Sequence, residues 1–162
     1  MGFEITSIPV NKHGRVNPEH IEKAIKDDTV LVTVMHSNNE IGTIQPIEEI
    51  SKVTKKKKVL FHTDAVDSVG LVAIDTQKLG VDALSFASNT FYGPAGVGGV
   101  YLRRGAKVWP LLDGGTQEKN QRAGTENLIG IVGMGVAADL ATQEMDARVA
   151  HLKKLRGKLI QE

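Results

Sequence analysis

No cysteine occurs among the 162 residues. That excludes disulfides and thiolate metal centres. Neither sign of charge is in excess, since 20 Lys and Arg stand against 19 Asp and Glu. Bulk charge therefore recommends neither nucleic acid nor an acidic membrane as a partner. The run Lys55 to Lys58 reads as the solvated end of a helix, where cations suit the C-terminal dipole. No uninterrupted apolar run approaches the ~20 residues that cross a bilayer. The opening GFEITSIPV lacks the charged-then-apolar order of a signal peptide, so a cytoplasmic protein is the default expectation. Repeats, linkers and low-complexity tracts are missing too. This length suits one domain with a substantial core.

What is present is an alternation of strand-like and helical runs, which predicts an α/β fold with a mainly parallel sheet flanked by helices. Phe3 to Val10 reads as a first strand. Asn17 is placed to cap a helix over Pro18 to Lys26, with Pro at its first position. Val30 to Met35 is almost wholly apolar, as a strand buried on both faces should be. Pro46 opens a second helix in which Ile47, Ile50 and Val53 share a face. Val59 to His62 is a further strand, Gln77 to Gly80 a helical turn, and Val81 to Phe86 and Val97 to Arg103 two more strands. Two helices are expected at the end, over Asn127 to Ala141 and Glu144 to Ile160.

The segment FHTDAVDSVG, from Phe61 to Gly70, places Asp64 at the C-terminal end of a strand, where open α/β sheets gather ligand groups. An acid there either caps a turn or holds a protonated heterocyclic nitrogen, the charge that makes pyridoxal phosphate (PLP) an electron sink. Three further segments accompany it: HSNNEIGTIQP from His36, LSFASNTFYGPAGVGGVYLRR from Leu84, and GGTQEKNQRAGTEN from Gly114. In this order and spacing the four closely resemble the PLP-dependent cysteine desulfurases of the class-V aminotransferase group, over nearly the whole chain. The resemblance implies the large domain of a fold type I PLP enzyme. Residues 1–162 would be a partial domain, with residues 127–162 leading toward a small domain that is absent. It also implies a homodimer, an amino-acid substrate, and an iron–sulfur scaffold protein as partner. Met1 directly before a mid-protein segment makes truncation the expectation.

Carried over by position, the resemblance puts Asn39 near the cofactor's phenolic oxygen, Asp64 on the pyridine nitrogen and Ala65 against one ring face. Thr125 would reach the phosphate of the neighbouring subunit's cofactor. Plainer roles stand beside these: an Asx-turn before Gly42 for Asn39, and an N-cap for Thr125. The departures from the family pattern carry as much weight. Family members have Ser-x-His-Lys before the YGP segment, and its Lys forms the Schiff base with PLP; here the run is Ala87, Ser88, Asn89, Thr90. Thr90 has no amine. Ser88 could supply a hydroxyl only with a shifted backbone, and Asn89 stands at the histidine position. Asp67 replaces a Gln, and a carboxylate there repels a phenolate unless protonated or turned away. The sulfur-accepting Cys is missing. The expectation is a desulfurase-like protein of iron–sulfur or sulfur metabolism, impaired as it stands, with PLP held non-covalently.

Two other readings compete. One is a non-catalytic assembly protein that keeps the desulfurase fold. The other is a non-haem iron site built on His62 and Asp64 with His36 as a second imidazole; it demands a jelly-roll or barrel scaffold, which the strand–helix alternation opposes. The turn GPAGVGG, Gly93 to Gly99, lacks the Lys-Ser/Thr of a P-loop and precedes a strand, so it is not a nucleotide loop. Its expected work is to let backbone pass close to the cofactor pocket and an adjacent strand.

Overall fold

The sheet that positions the candidate residues has four strands in the order β1-β2-β3-β4: β1 (Leu31–Met35), β2 (Leu60–Asp64), β3 (Ala83–Ala87) and β4 (Gly98–Leu102). The computed structural model describes residues 2–161. β1 runs parallel to β2, and β2 to β3; Met35 stands opposite Asp64, and Asp64 opposite Ser85. β4 runs back along β3. Arg103 N, just past β4, donates to Asp82 O, just before β3, at 2.8 Å. At the other end Ser88 N donates to Val97 O at 3.0 Å. The sheet is therefore mixed and mostly parallel. Two compact units are distinguished: Met1–Ser68 with Ile74–Phe86 and Val100–Arg103, and Val69–Ala73 with Ala87–Gly99 and Arg104–Glu162.

In the first unit, helix α1 (Pro18–Ala24) starts where Asn17 caps it, accepting from Glu19 N at 2.9 Å. Helix α2 (Ile47–Lys57) buries Ile47, Ile50, Ser51 and Thr54. That 3.6-residue stripe passes through Thr54 rather than the expected Val53, which is only half-buried. Thr54 is tolerated inside because its hydroxyl donates to Ser51 O at 3.1 Å, and Ser51 is held by Gly80 O at 2.9 Å. Helix α3 (Thr76–Leu79) is one turn, capped by Asp75, which accepts from Gln77 N and Lys78 N. Ile21, Ile47, Ile50, Phe61, Val81 and Leu84 form the core. Each large apolar side chain buried this way stabilises by about 1.5–3 kcal/mol.

Two strand expectations are corrected. Phe3 to Val10 forms no strand; its one ladder contact is the isolated antiparallel bridge Val10 to Val16. Extended chain without a paired neighbour is not sheet. β1 is not buried on both faces, because it is the sheet edge, with Leu31 and Met35 exposed.

At the other end of this sheet from Asp64, Asp82 ties the start of β2 to the residue just past the end of β4. Its carboxylate accepts from Phe61 N at 2.9 Å and from Arg103 Nε at 2.6 Å.

The second unit is built on α5 (Leu128–Gln161), a single helix of 34 residues where two were expected. No Pro or Gly falls between Gly135 and Gly157, and Thr142 keeps its hydroxyl on Ala138 O, at 2.9 Å, without breaking the ladder. The helix is about 51 Å long at 1.5 Å per residue. Gly130, Ala137 and Ala141 are its buried positions. The helix packs on a 3₁₀ turn (Ser88–Phe91) whose Phe91 is buried. Gly93 must be glycine here. A Cβ on it would lie 2.1 Å from Ser88 Oγ and 3.1 Å from Ala137 Cβ. The close approach expected of GPAGVGG is thus to this turn and α5. Tyr92, in the left-handed region at φ 69, offers its ring face to the Arg148 guanidinium at 4.7 Å. Arg148 also pairs with Glu144 at 3.0 Å. The distorted turn α4 (Gln117–Asn120) precedes α5.

Among the described residues α5 alone is long and apolar enough, by length and composition, to cross a membrane. The uninterrupted-run argument missed it because Asp139, Thr142, Gln143 and Glu144 break the run without lowering the mean below that of a spanning segment. Three of its small residues are buried within its own unit, which a lipid-facing span does not need.

Candidate functional site

In the first unit, the segments following β1 and β2 leave the same end of the sheet, since the two strands are parallel. The segment after β1 carries Asn39. Asp64 closes β2, and Asp67 follows. Asp64 is exposed, and its Oδ1 accepts from Val66 N at 2.9 Å. This is the turn-capping role weighed for it, and it occupies one oxygen only. Among the described residues the other accepts no hydrogen bond.

Asn39 is exposed, and the turn role weighed for it belongs to its neighbour. Asn38 Oδ1 accepts from Glu40 N and Ile41 N, each at 3.1 Å. The Asn39 amide is left outside these bonds. Asp67 is half-buried.

Ala65 departs from its expected role. It is wholly buried and its N–H donates to Ser85 O at 2.9 Å, so its methyl faces the interior rather than a ring. Val66 is half-buried and next in line.

In the second unit the 3₁₀ turn carries Ser88, Asn89 and Thr90, three of the residues singled out from the sequence. Asn89 is exposed. Thr90 is half-buried and turns its hydroxyl back onto Ala87 O at 2.9 Å. Ser88 is fully buried, with an Oγ that has no hydrogen-bond partner among the described residues. It lies against Gly93 and Ala137 and offers no hydroxyl to an open surface, a correction caused by the packing of the turn on α5. Thr125 is exposed before α5, and the capping role weighed for it is taken by Asn127, whose Oδ1 accepts from Gly130 N at 3.1 Å. The pattern of the asparagines repeats: one neighbour makes the turn and leaves the candidate's side chain uncommitted.

Polar contacts that the sequence did not signal surround Asp64. His62 spans β1 and β3 through Thr33 Oγ1 at 2.8 Å and Ser85 Oγ at 3.1 Å. Burial lowers its pKa below the ordinary 6.5, and the nearby Asp64 charge works the other way. His36, buried after β1, is also lowered by burial. Its Nδ1 meets Ser68 Oγ at 2.8 Å, and Ser68 Oγ meets Ser37 Oγ at 2.5 Å. Both ring nitrogens of His62 are engaged, and among the described residues no group of three His, Cys, Asp or Glu could hold a metal ion. The iron reading has no geometry here.

The match of the class-V aminotransferase family profile extends over residues 1–162. The chain belongs to the class-V aminotransferase family. That family is PLP-dependent, and the mixed, mostly parallel sheet with flanking helices is its fold type I architecture. Among relatives in this family, the cysteine desulfurase IscS of Dictyoglomus turgidum is 52% identical over 162 residues, 100% of this chain and 41% of that protein. A solved NifS-like protein superposes with a TM-score of 0.94 at 43% identity, over 99% of this chain and 44% of the other. A solved SspA in complex with cysteine gives a TM-score of 0.82 at 40% identity, over 85% and 40% of the two chains. The chain spans about two fifths of the length of the curated relatives it matches.

The donor set fits one end of the family's cofactor. A carboxylate with one oxygen fixed and one uncommitted suits a pyridinium N–H, and an amide outside its local turn suits a phenolic oxygen. Thr90, where the resemblance led us to expect the lysine, has a hydroxyl and no amine.

Proposed function

We propose that the chain is the PLP-cradling portion of a cysteine desulfurase-like protein of iron–sulfur or sulfur metabolism, catalytically impaired as it stands. Asp64 carries this reading: a carboxylate at the end of a parallel strand, oriented by Val66 N and, among the described residues, with its second oxygen left to accept a further proton donor. PLP, when bound, supplies an electron sink for breaking bonds beside an amino group. Asp64 would accept the pyridine N–H and keep that nitrogen protonated. Asn39 would donate to the phenolic oxygen, and Val66 takes over the ring-face role from buried Ala65. Thr125 would donate its hydroxyl to phosphate in a homodimer, and Asn89 stands exposed for a polar contact. Asp67 has to be turned away or protonated beside a phenolate.

Thr90 leaves the cofactor without a covalent tether and removes the lysine's proton shuttling, typically worth ~10²–10⁴ in rate. The likeness to IscS and to SspA with its bound cysteine supports a cysteine-class substrate. The thiolate that takes the sulfur has to come from outside this chain, which has no Cys.

The test is equilibrium binding of PLP, followed by absorbance, borohydride treatment and mass analysis. Binding without covalent trapping is expected, and Thr90→Lys should create a trappable link. A Thr90→Lys protein that binds PLP and never traps it would refute the assignment of that position. A second reading, an assembly platform that docks an iron–sulfur scaffold protein, is favoured by Thr90 bonding its own turn. A folded chain that ignores millimolar PLP would leave that reading standing.

A further inference from the structure

We infer that Ser68 and His36 are positioning residues: the buried Ser37–Ser68–His36 hydrogen-bond chain holds the segment bearing Asn39 in register with the strand end bearing Asp64. This rests on the cofactor reading above. Ser68 is wholly buried and His36 nearly so, and the two side chains bond each other rather than reaching the surface. Their bonds join two segments about thirty residues apart, at 2.8 Å from His36 Nδ1 to Ser68 Oγ and 2.5 Å from Ser68 Oγ to Ser37 Oγ.

Main-chain bonds close the loop around these contacts. His36 N donates to the carbonyl of Asp64 itself at 2.7 Å, and Ser68 N to Ala65 O at 3.0 Å. The segment after β1 is pinned in turn by Gln45 N on His36 O and by Gly42 N on Asn38 O, each at 2.9 Å. Asn39 sits within that pinned segment. With Nδ1 as acceptor, protons run Ser37 to Ser68 to His36; with Nδ1 as donor, they run the other way, and Ser68 is satisfied in both. Burial that keeps the imidazole neutral suits either direction. An apolar pair of this size would fill the space as well, but it would let the two segments slide.

The experiment compares Ser68→Ala, His36→Leu and His36→Asn with Asp82→Asn, which loosens the opposite end of the same sheet. PLP affinity and the absorbance of the bound chromophore are measured beside thermal unfolding. Ser68→Ala and His36→Leu should weaken PLP about tenfold and shift the bound spectrum. His36→Asn, which returns a polar atom near the Nδ1 position, should stay within about threefold of the parent. Asp82→Asn should lower the unfolding temperature and leave PLP affinity unchanged.

Wild-type PLP affinity and spectrum in Ser68→Ala would overturn the inference. So would PLP losses that merely track unfolding temperature through Asp82→Asn. Should the parent chain itself bind no PLP, the cofactor reading fails and the positioning is read from amide NMR of the free protein. Ser68→Ala must then move the signals of Asn38 to Gly42 together with Asp64 to Asp67 while sparing α1. Unmoved signals there refute it.

Discussion

A strand-end carboxylate can serve the backbone and a ligand at once, and Asp64 has the geometry for both. Its Oδ1 fixes Val66 N, a local bond worth about 0.5–1.5 kcal/mol net. Asp64→Ala should therefore leave the chain folded with a small loss of stability and weaken PLP at least tenfold. Asp64→Asn should weaken it nearly as much, because an amide cannot sustain a pyridinium. Equilibrium dialysis with circular dichroism of the same samples checks both. Undiminished binding by a folded Asp64→Ala protein would remove Asp64 from the site. The sequence marked Asp64 because strand ends collect ligands, a rule of topology. It did not tell Asn38 from Asn39, or Thr125 from Asn127. Which of two nearby polar residues closes a turn depends on backbone angles that composition does not set. The Ser68 contact was equally hidden, since its partner lies 32 positions away.

At the scale of elements, the 3₁₀ turn and α5 meet through small residues, and their fit is testable as a pair. Gly93→Ala pushes a methyl into Ser88 Oγ and Ala137 and should cost about 1–3 kcal/mol, as overpacking does. Ser88→Ala removes a buried hydroxyl that has no partner among the described residues and should be neutral or stabilising by up to about 1 kcal/mol. The double variant should recover much of the Gly93→Ala loss, because the methyl's nearest obstacle is gone. Strictly additive values in urea titrations of all three would show that Oγ is not the obstacle. Periodicity read the helices well: Asn17 caps α1 as its position implied, and Pro46 stands at the N-cap of α2. It misplaced a break inside α5, because polar residues at Thr142 and Gln143 look like a connection until the uninterrupted ladder is seen. It also overstated β1, since an apolar run does not reveal whether its strand is central or at an edge.

For the whole molecule, both perturbed imidazoles point the same way with pH. His36 and His62 are lowered from the ordinary 6.5 by burial. Unfolded, they titrate near that value, so below it the unfolded chain binds more protons than the folded one. Stability is then complete above about pH 6.5 and falls as pH drops toward the folded values. Denaturant midpoints at about pH 8 and about pH 5.5 should show the fall, and His36→Asn should flatten part of it. Equal or rising stability at the acid end would contradict the burial argument. The fold class was legible because strand and helix alternate at lengths that only a layered sheet accommodates; the division into two units was not, since it follows contacts rather than sequence order. One consequence belongs to the order of the strands. They lie across the sheet in the order in which they occur in the chain, so during synthesis each emerging strand finds its neighbour already made. None of these four strands has to wait for a later one to find its first neighbour. The loop-closure entropy of each step stays small. Assembly can then advance from β1 to β4 at the pace of translation, which arrest of synthesis far enough beyond Leu102 for β4 to have left the ribosome would reveal as a protease-resistant nascent sheet.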